Sequence, residues 1–326
     1  MKILVTGGLG FVGVHVARHL AAAGHDVTVL DRETPLAVHE DFLGDVRTRV
    51  QMVQADLADP GDMWETRLPE LDAVVHAAAV TPLVPGTELD LAGAAVAVNV
   101  AGTVRVLDLA RRRGIARLVH VSTGSVYGIP DVERIDEDRP LAPVTIYGIT
   151  KAAADQMAQH YGEVGACEVV VARLAQPYGP MERTTGSRAA LSPVHDWAVA
   201  AIAGDHLCFS AGDLDLGRDY VYVGDVADAV ARLATQDRLE HRVYNVSNGE
   251  RTTLRSVFER IVARVGDTGV GDGRVNLSSA MERPVLSPDR LHRDAGWKAS
   301  TDLDQGVAAT VAWLRTLRPS PARTRN

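Results

Sequence analysis

Short aliphatic and β-branched runs alternate along the chain with longer stretches whose apolar residues recur at helical spacing. Residues 2–6 (KILVT), 27–31 (VTVLD), 50–54 (VQMVQ), 73–76 (AVVH), 117–121 (RLVHV), 168–172 (EVVVA) and 242–246 (RVYNV) read as strands. Segments 11–23, 88–113, 147–162 and 223–234 read as helices. Most of the strands are too uniformly apolar for a sheet with a wet face, so both faces are covered. The alternation predicts an α/β fold built on a doubly wound parallel sheet. After about residue 175 the rhythm breaks, with a loop-rich stretch at 177–193 and a glycine-rich one at 266–274. The expected organisation is a Rossmann domain over 1–175, to which 219–247 returns. Segments 176–218 and 248–318 form a smaller C-terminal substrate-binding lid domain, and 319–326 (PSPARTRN) a disordered tail.

The first strand runs into TGGLGFVG, which places Gly7, Gly10 and Gly13 between a strand and a helix. Glycines there let the backbone approach a pyrophosphate and aim N–H groups at it, with Phe11 and Val12 opening the helix. Asp31 ends the second strand eighteen residues after Gly13, where a carboxylate can accept both ribose hydroxyls. The same carboxylate repels a 2′-phosphate, which selects NAD over NADP; Arg32 beside it pulls the other way.

Composition narrows the partners. The chain has 326 residues, 46% apolar and 23% charged, and a net charge of −8. Its tightest basic cluster, Arg111–Arg113, precedes Gly114 as a helix end does, so nucleic acid is excluded as a partner. Cys167 and Cys208 make neither a disulfide framework nor a metal motif, which fits a cytoplasmic location. Asn99, Arg105 and Asp108 interrupt the alanine-rich span 91–110, so no membrane span is expected there. The N-terminal apolar stretch suits a nucleotide loop better than a signal peptide. His15 and His19 share a helix face but have Val16 between them, not a metalloprotease glutamate, and read as structural; His76 reads as a satisfied core histidine.

Tyr147 and Lys151, in VTIYGITK, lie four apart and face the same way on a helix. Together with TGGLGFVG, AD at 55–56, VVHAAA at 74–79, Asn99, VSTGSVYG at 121–128, RDYVYVGDVADA at 218–229 and GW at 296–297, they make the chain resemble the extended short-chain dehydrogenase/reductases. The likeness is to the NAD-dependent sugar epimerases and dehydratases among them, and it runs from Lys2 to about Leu317. It implies that Asp56 and Leu57 contact adenine, that Ala77, Ala78 and Ala79 line the cofactor, and that Asn99 fixes the backbone near the ribose. Thr123, Tyr147 and Lys151 become the catalytic set, with the lysine charge lowering the phenol. Thr81, Ser125, Gln176, Arg188, Arg218 and Arg283 fall on substrate-binding positions. The resemblance further implies a homodimer through the 88–113 and 147–162 helices.

Within that family, elimination of water needs a carboxylate beside the Thr/Ser, two residues before the Tyr of VYG. That slot holds Ser125, preceded by Gly124. A 4-epimerase working through a transient ketone needs no such acid, and a nucleotide-sugar 4-epimerase is the expected activity. Gln176 replaces the family's Asn, Arg283-Pro284 lacks a following Gly-Asp, and 181–193 departs from the usual pattern. These departures keep open an NAD-dependent dehydrogenase of a free sugar or polyhydroxy acid, with Arg183 or Arg188 gripping a carboxylate.

Overall fold

A computed structural model of the chain describes residues 1–59, 61, 63–81, 88–165, 167–205, 213–266 and 282–317. Cys208, all but the first residue of the 266–274 stretch, and the 319–326 tail lie outside the described residues. The apolar runs become β1 (Lys2–Thr6), β2 (Asp26–Asp31), β3 (Val50–Gln54), β4 (Ala73–His76), β5 (Arg117–Thr123), β6 (Glu168–Leu174) and β7 (Val243–Val246). They form one seven-stranded sheet in the order β7-β6-β5-β4-β1-β2-β3. Every neighbouring pair is parallel. The order reverses between β1 and β4, and ligands of open α/β sheets bind in the crevice at such a switch point.

Helix α1 (Phe11–Ala22) packs on one face of the sheet, where Val14, Ala17 and Leu20 meet Val226 and Val230 of a later helix (Val223–Thr235) in one core. On the other face lies α2 (Ala92–Arg113), with Val106, Leu107 and Ala110 against Leu4, Val74 and Leu118. It starts four residues later than the pattern suggests, because 88–91 form a turn. Its middle, Val96–Gly102, is wound as a π-helix. By length and composition α2 alone among the described helices could cross a membrane; here Val106, Leu107 and Leu109 are wholly buried. Helix α3 (Ile146–Glu163) carries Tyr147 and starts at Thr145, whose hydroxyl accepts the Gly148 N–H.

Beyond β6 the chain builds a second core rather than loops alone. Helices α4 (Pro193–Ala203), α5 (Val223–Thr235), α6 (Leu254–Val265) and α7 (Leu303–Thr316) follow. Trp197 of α4, Val257 and Ile261 of α6, and Val307 and Val311 of α7 pack around Tyr178 and Tyr220. Those tyrosines sit on a short parallel pair, Gln176–Tyr178 with Tyr220–Tyr222, that leads out of the main sheet. This places Gln176 and Arg218 at the carboxyl ends of the strands, facing the switch-point crevice.

Candidate active site

The crevice is a cavity of about 480 Å³ lined from the β1–α1 turn to Arg283. At the turn Gly7 has φ +65° and abuts the Ala78 backbone, while a Cβ on Gly13 would overlap the Gly7 carbonyl. Gly10, the residue before α1, gives the helix no side-chain cap, so its first amides are presented to the cavity with the positive end of the helix dipole. That cradle fits a diphosphate. Asp31 closes it at the end of β2, its Oδ2 accepting Leu9 N–H at 3.0 Å and Oδ1 accepting Glu33 N–H at 3.1 Å. Burial pushes its carboxyl above the usual range, against those two bonds. Phe11, Val12, Arg32, Asp56, Leu57, Ala77, Ala78 and Ala79 line the same end.

Asn99 does not line the cavity. It lies wholly buried in the π-wound stretch, accepting Val80 N–H at 2.8 Å and donating to Val80 C=O at 2.9 Å and to Thr150 Oγ1 at 3.0 Å.

Thr123, Ser125 and Tyr147 meet at the next wall. Burial raises the Tyr147 phenol above its ordinary value; the Arg188 charge and a hydrogen bond with Thr123 oppose that. Lys151 differs from the sequence expectation. It shares the helix face, but its stem runs down to β5, where Nζ donates to Val121 C=O at 2.6 Å and lies 3.4 Å from His120 Nε2. At 1% exposure it is desolvated enough to titrate at about 8, with Asp155 pulling the other way. The Arg188 charge opposes burial at the phenol.

At the far end, Arg218 donates through Nη1 to Gln176 Oε1 at 2.8 Å. Its Nε and Nη2, and Nε of Arg283, are buried with no partner among the described residues. Arg283 Nη1 reaches Ser125 Oγ at 3.3 Å. Burial lowers both guanidinium pKa values, and Arg218 adds to the effect on Arg283. Two desolvated like charges with idle donors on one cavity have the chemistry to take an anion.

Gln176 and Arg188 line the same cavity with different partners: Gln176 accepts from Arg218, Arg188 pairs with Glu182 at 2.5 Å, and Arg183 donates to Leu9 C=O at the cofactor end. Thr81 binds the Ser187 carbonyl by both N–H and hydroxyl, at 2.8 and 3.0 Å. His15 and His19 have separate partners, Pro180 C=O at 2.9 Å and Asp228 at 3.4 Å. His76 is held between Thr6 and Thr103 hydroxyls at 2.7 and 2.9 Å. Sequence reasoning missed Glu182, His120 and Glu88, which lines the cavity and accepts Ile146 N–H at 3.5 Å. None stands in a motif; each is revealed only by its tertiary neighbours.

A sheet that binds a dinucleotide at its switch point, with a Tyr/Lys helix across from it, defines a class, and the family comparison identifies it. The model for the NAD dependent epimerase/dehydratase family matches residues 3–247, and the chain belongs to that family. Its cofactor is NAD, which the glycine cradle and Asp31 fit. The chain is 30% identical over 322 residues to a UDP-glucose 4-epimerase of Mycolicibacterium smegmatis, covering 97% of this chain and 99% of that one. It is also 30% identical over 325 residues to a dTDP-glucose 4,6-dehydratase of Mycobacterium tuberculosis, covering 97% and 93%. Among solved structures, the Thermus thermophilus UDP-glucose 4-epimerase in complex with NAD superposes with a TM-score of 0.79 at 31% identity, covering 97% and 99%.

Proposed function

We propose that the protein is a nucleotide-sugar 4-epimerase. The observation that carries this reading is the wall at Thr123: the next two residues, Gly124 and Ser125, bring no carboxylate beside the Tyr147 phenol. Elimination of water needs an acid there, and epimerisation does not. NAD, when bound, supplies hydride uptake and return. Tyr147 takes the proton of the sugar hydroxyl as the alcohol becomes a ketone and gives it back on reduction, while Thr123 donates a hydrogen bond to that oxygen. Bringing a phenol from about 10 to about 7 takes roughly 4 kcal/mol of differential stabilisation. The Arg188 charge and the Thr123 bond already act in that direction.

Arg218 and Arg283 are the proposed clamp for the substrate diphosphate, with the α4, α6 and α7 core as the substrate-binding lid. A homodimer through α2 and α3 is supported by their outer faces, where Val96 is 52%, Ile149 50% and Met157 41% exposed.

Mass spectrometry and NMR of nucleotide sugars incubated with the NAD-loaded protein test the proposal. A product of unchanged mass with C4 inverted is expected. Loss of one water would mean a dehydratase, and loss of two hydrogens with accumulating NADH a dehydrogenase.

A further inference from the structure

Residues 181–191 cross the crevice as a strap. It is tied to the Thr81 wall through Ser187, to the phosphate turn through Arg183 and Leu9, and lies against Arg32 at Gly186, where a Cβ would come within 2.7 Å of Nη2. Thr185 and Arg188 pair reciprocally through their backbones at 2.8 and 3.2 Å, which makes the strap a stiff turn. It begins at Met181, a buried non-glycine residue held at φ +66°, the kind of strain that persists only where the surroundings enforce it. The next residue is Glu182. This carboxylate is 0% exposed and accepts Ser192 N–H at 2.9 Å, Ser192 Oγ–H at 2.6 Å and Arg188 Nη2 at 2.5 Å.

Held this way, the Arg188 guanidinium stacks 5.2 Å from the ring centroid of Phe11, the first residue of α1. Its buried Nε has no partner among the described residues. Glu182 already holds one edge of the guanidinium, and the buried Nε is a donor left over beside the first residue of α1, where the helix dipole favours anions; an arriving anion would satisfy it.

Building on NAD as the cofactor, we propose that the strap is a cofactor latch. Arg188 closes on the diphosphate of NAD from the side opposite α1, and the Glu182–Ser192 anchor sets how slowly the dinucleotide leaves. The strap touches both rims of the crevice, so NAD exits only when these bonds open together. An enzyme that returns its hydride within one turnover benefits from such retention, because it has no need to exchange the cofactor.

The test is the dissociation rate of NADH, followed by its fluorescence in stopped flow, with ADP-ribose and adenosine as equilibrium probes. Arg188→Met should release NADH about 10- to 100-fold faster and lose ADP-ribose affinity by a similar factor, the range of one or two charge-assisted bonds. Adenosine, which has no phosphate, should bind within twofold of the parent and so reports an intact site. Arg188→Lys should fall between, and Glu182→Gln should also speed release. A release rate within threefold of the parent in Arg188→Met overturns the latch. If that variant fails to fold, trypsin cleavage of the parent after Arg183 and Arg188 decides: ADP-ribose should protect and adenosine should not. Equal protection by both overturns the proposal. A parent that binds no NADH would sink the cofactor assignment and the latch together.

Discussion

Arg218 and Arg283 approach one cavity from separate segments of the chain, each with a buried guanidinium nitrogen that no described residue satisfies. Such a pair repels itself until an anion of two charges lies between. With NAD present, UDP or another nucleoside diphosphate should therefore raise the melting temperature. Arg218→Ala should abolish that shift and leave the NAD shift in place. A thermal-shift panel of nucleoside diphosphates checks it; no response to any of them would remove the nucleotide from the proposed substrate.

Tyr147→Phe removes the proton acceptor and keeps the ring. Turnover should fall by about 10²–10⁴-fold, the usual worth of a positioned acid–base group, with NAD affinity within about twofold. Steady-state kinetics and NAD titration check it; turnover within threefold of the parent would take Tyr147 out of the mechanism.

Asp31 is fixed by two backbone N–H groups, so its carboxylate is in place before any cofactor binds. NAD should bind much more tightly than NADP, and Asp31→Ala should narrow the gap chiefly by admitting NADP, with Arg32 beside it. Paired titrations of parent and variant measure both effects, and equal affinity of the parent for the two cofactors would contradict the role given to Asp31.

His15 is held neutral at a folded pKa of about 4, mainly by burial, with the Pro180 bond opposing and Arg18 assisting. In the unfolded chain it takes a proton near pH 6.5, so its effect on stability is absent above that pH. The unfolded state then gains on the folded one as pH falls toward 4. His15→Gln keeps a donor for Pro180 and removes the titration. It should lose roughly 2 kcal/mol less than the parent between pH 7 and pH 5, read from urea midpoints at each pH.

The outer faces of α2 and α3 give a fifth handle. Val96→Glu or Met157→Glu puts charge on exposed apolar positions without touching either core. Sedimentation velocity should show the parent as a dimer and each variant shifted toward monomer.

The sheet was legible because its strands are apolar on both faces, and the nucleotide turn because its glycines answer to steric demands that no other residue meets. The helices beyond residue 193 also left signals: Ser192 with Pro193 at the first turn of α4, Thr253 before α6, and the Asp302/Gln305 capping box of α7. The strand–helix alternation does not reveal them, because no strand separates them at a regular interval. The position of Lys151 was not legible in the same way. Spacing fixes which face of the helix a side chain leaves, but the direction of a four-carbon stem is settled by the carbonyl it finds, here Val121. Arg188 and Glu182 lie six residues apart in a loop without periodicity, and their meeting depends on Ser192 being buried with them.

The three bonds of Asn99 have a consequence for how the protein tolerates change. One amide joins the chain leaving β4, which carries the cofactor wall, to Thr150, which lies between Tyr147 and Lys151 on α3. The spacing between cofactor wall and catalytic helix is thus set by a side chain that no ligand touches. Aspartate or leucine there would strand the Val80 carbonyl in the interior, and leucine its N–H as well, at about 1–3 kcal/mol each. A map of permissible substitutions would therefore show an intolerant spot beneath the crevice, where ligand contact alone would mark nothing.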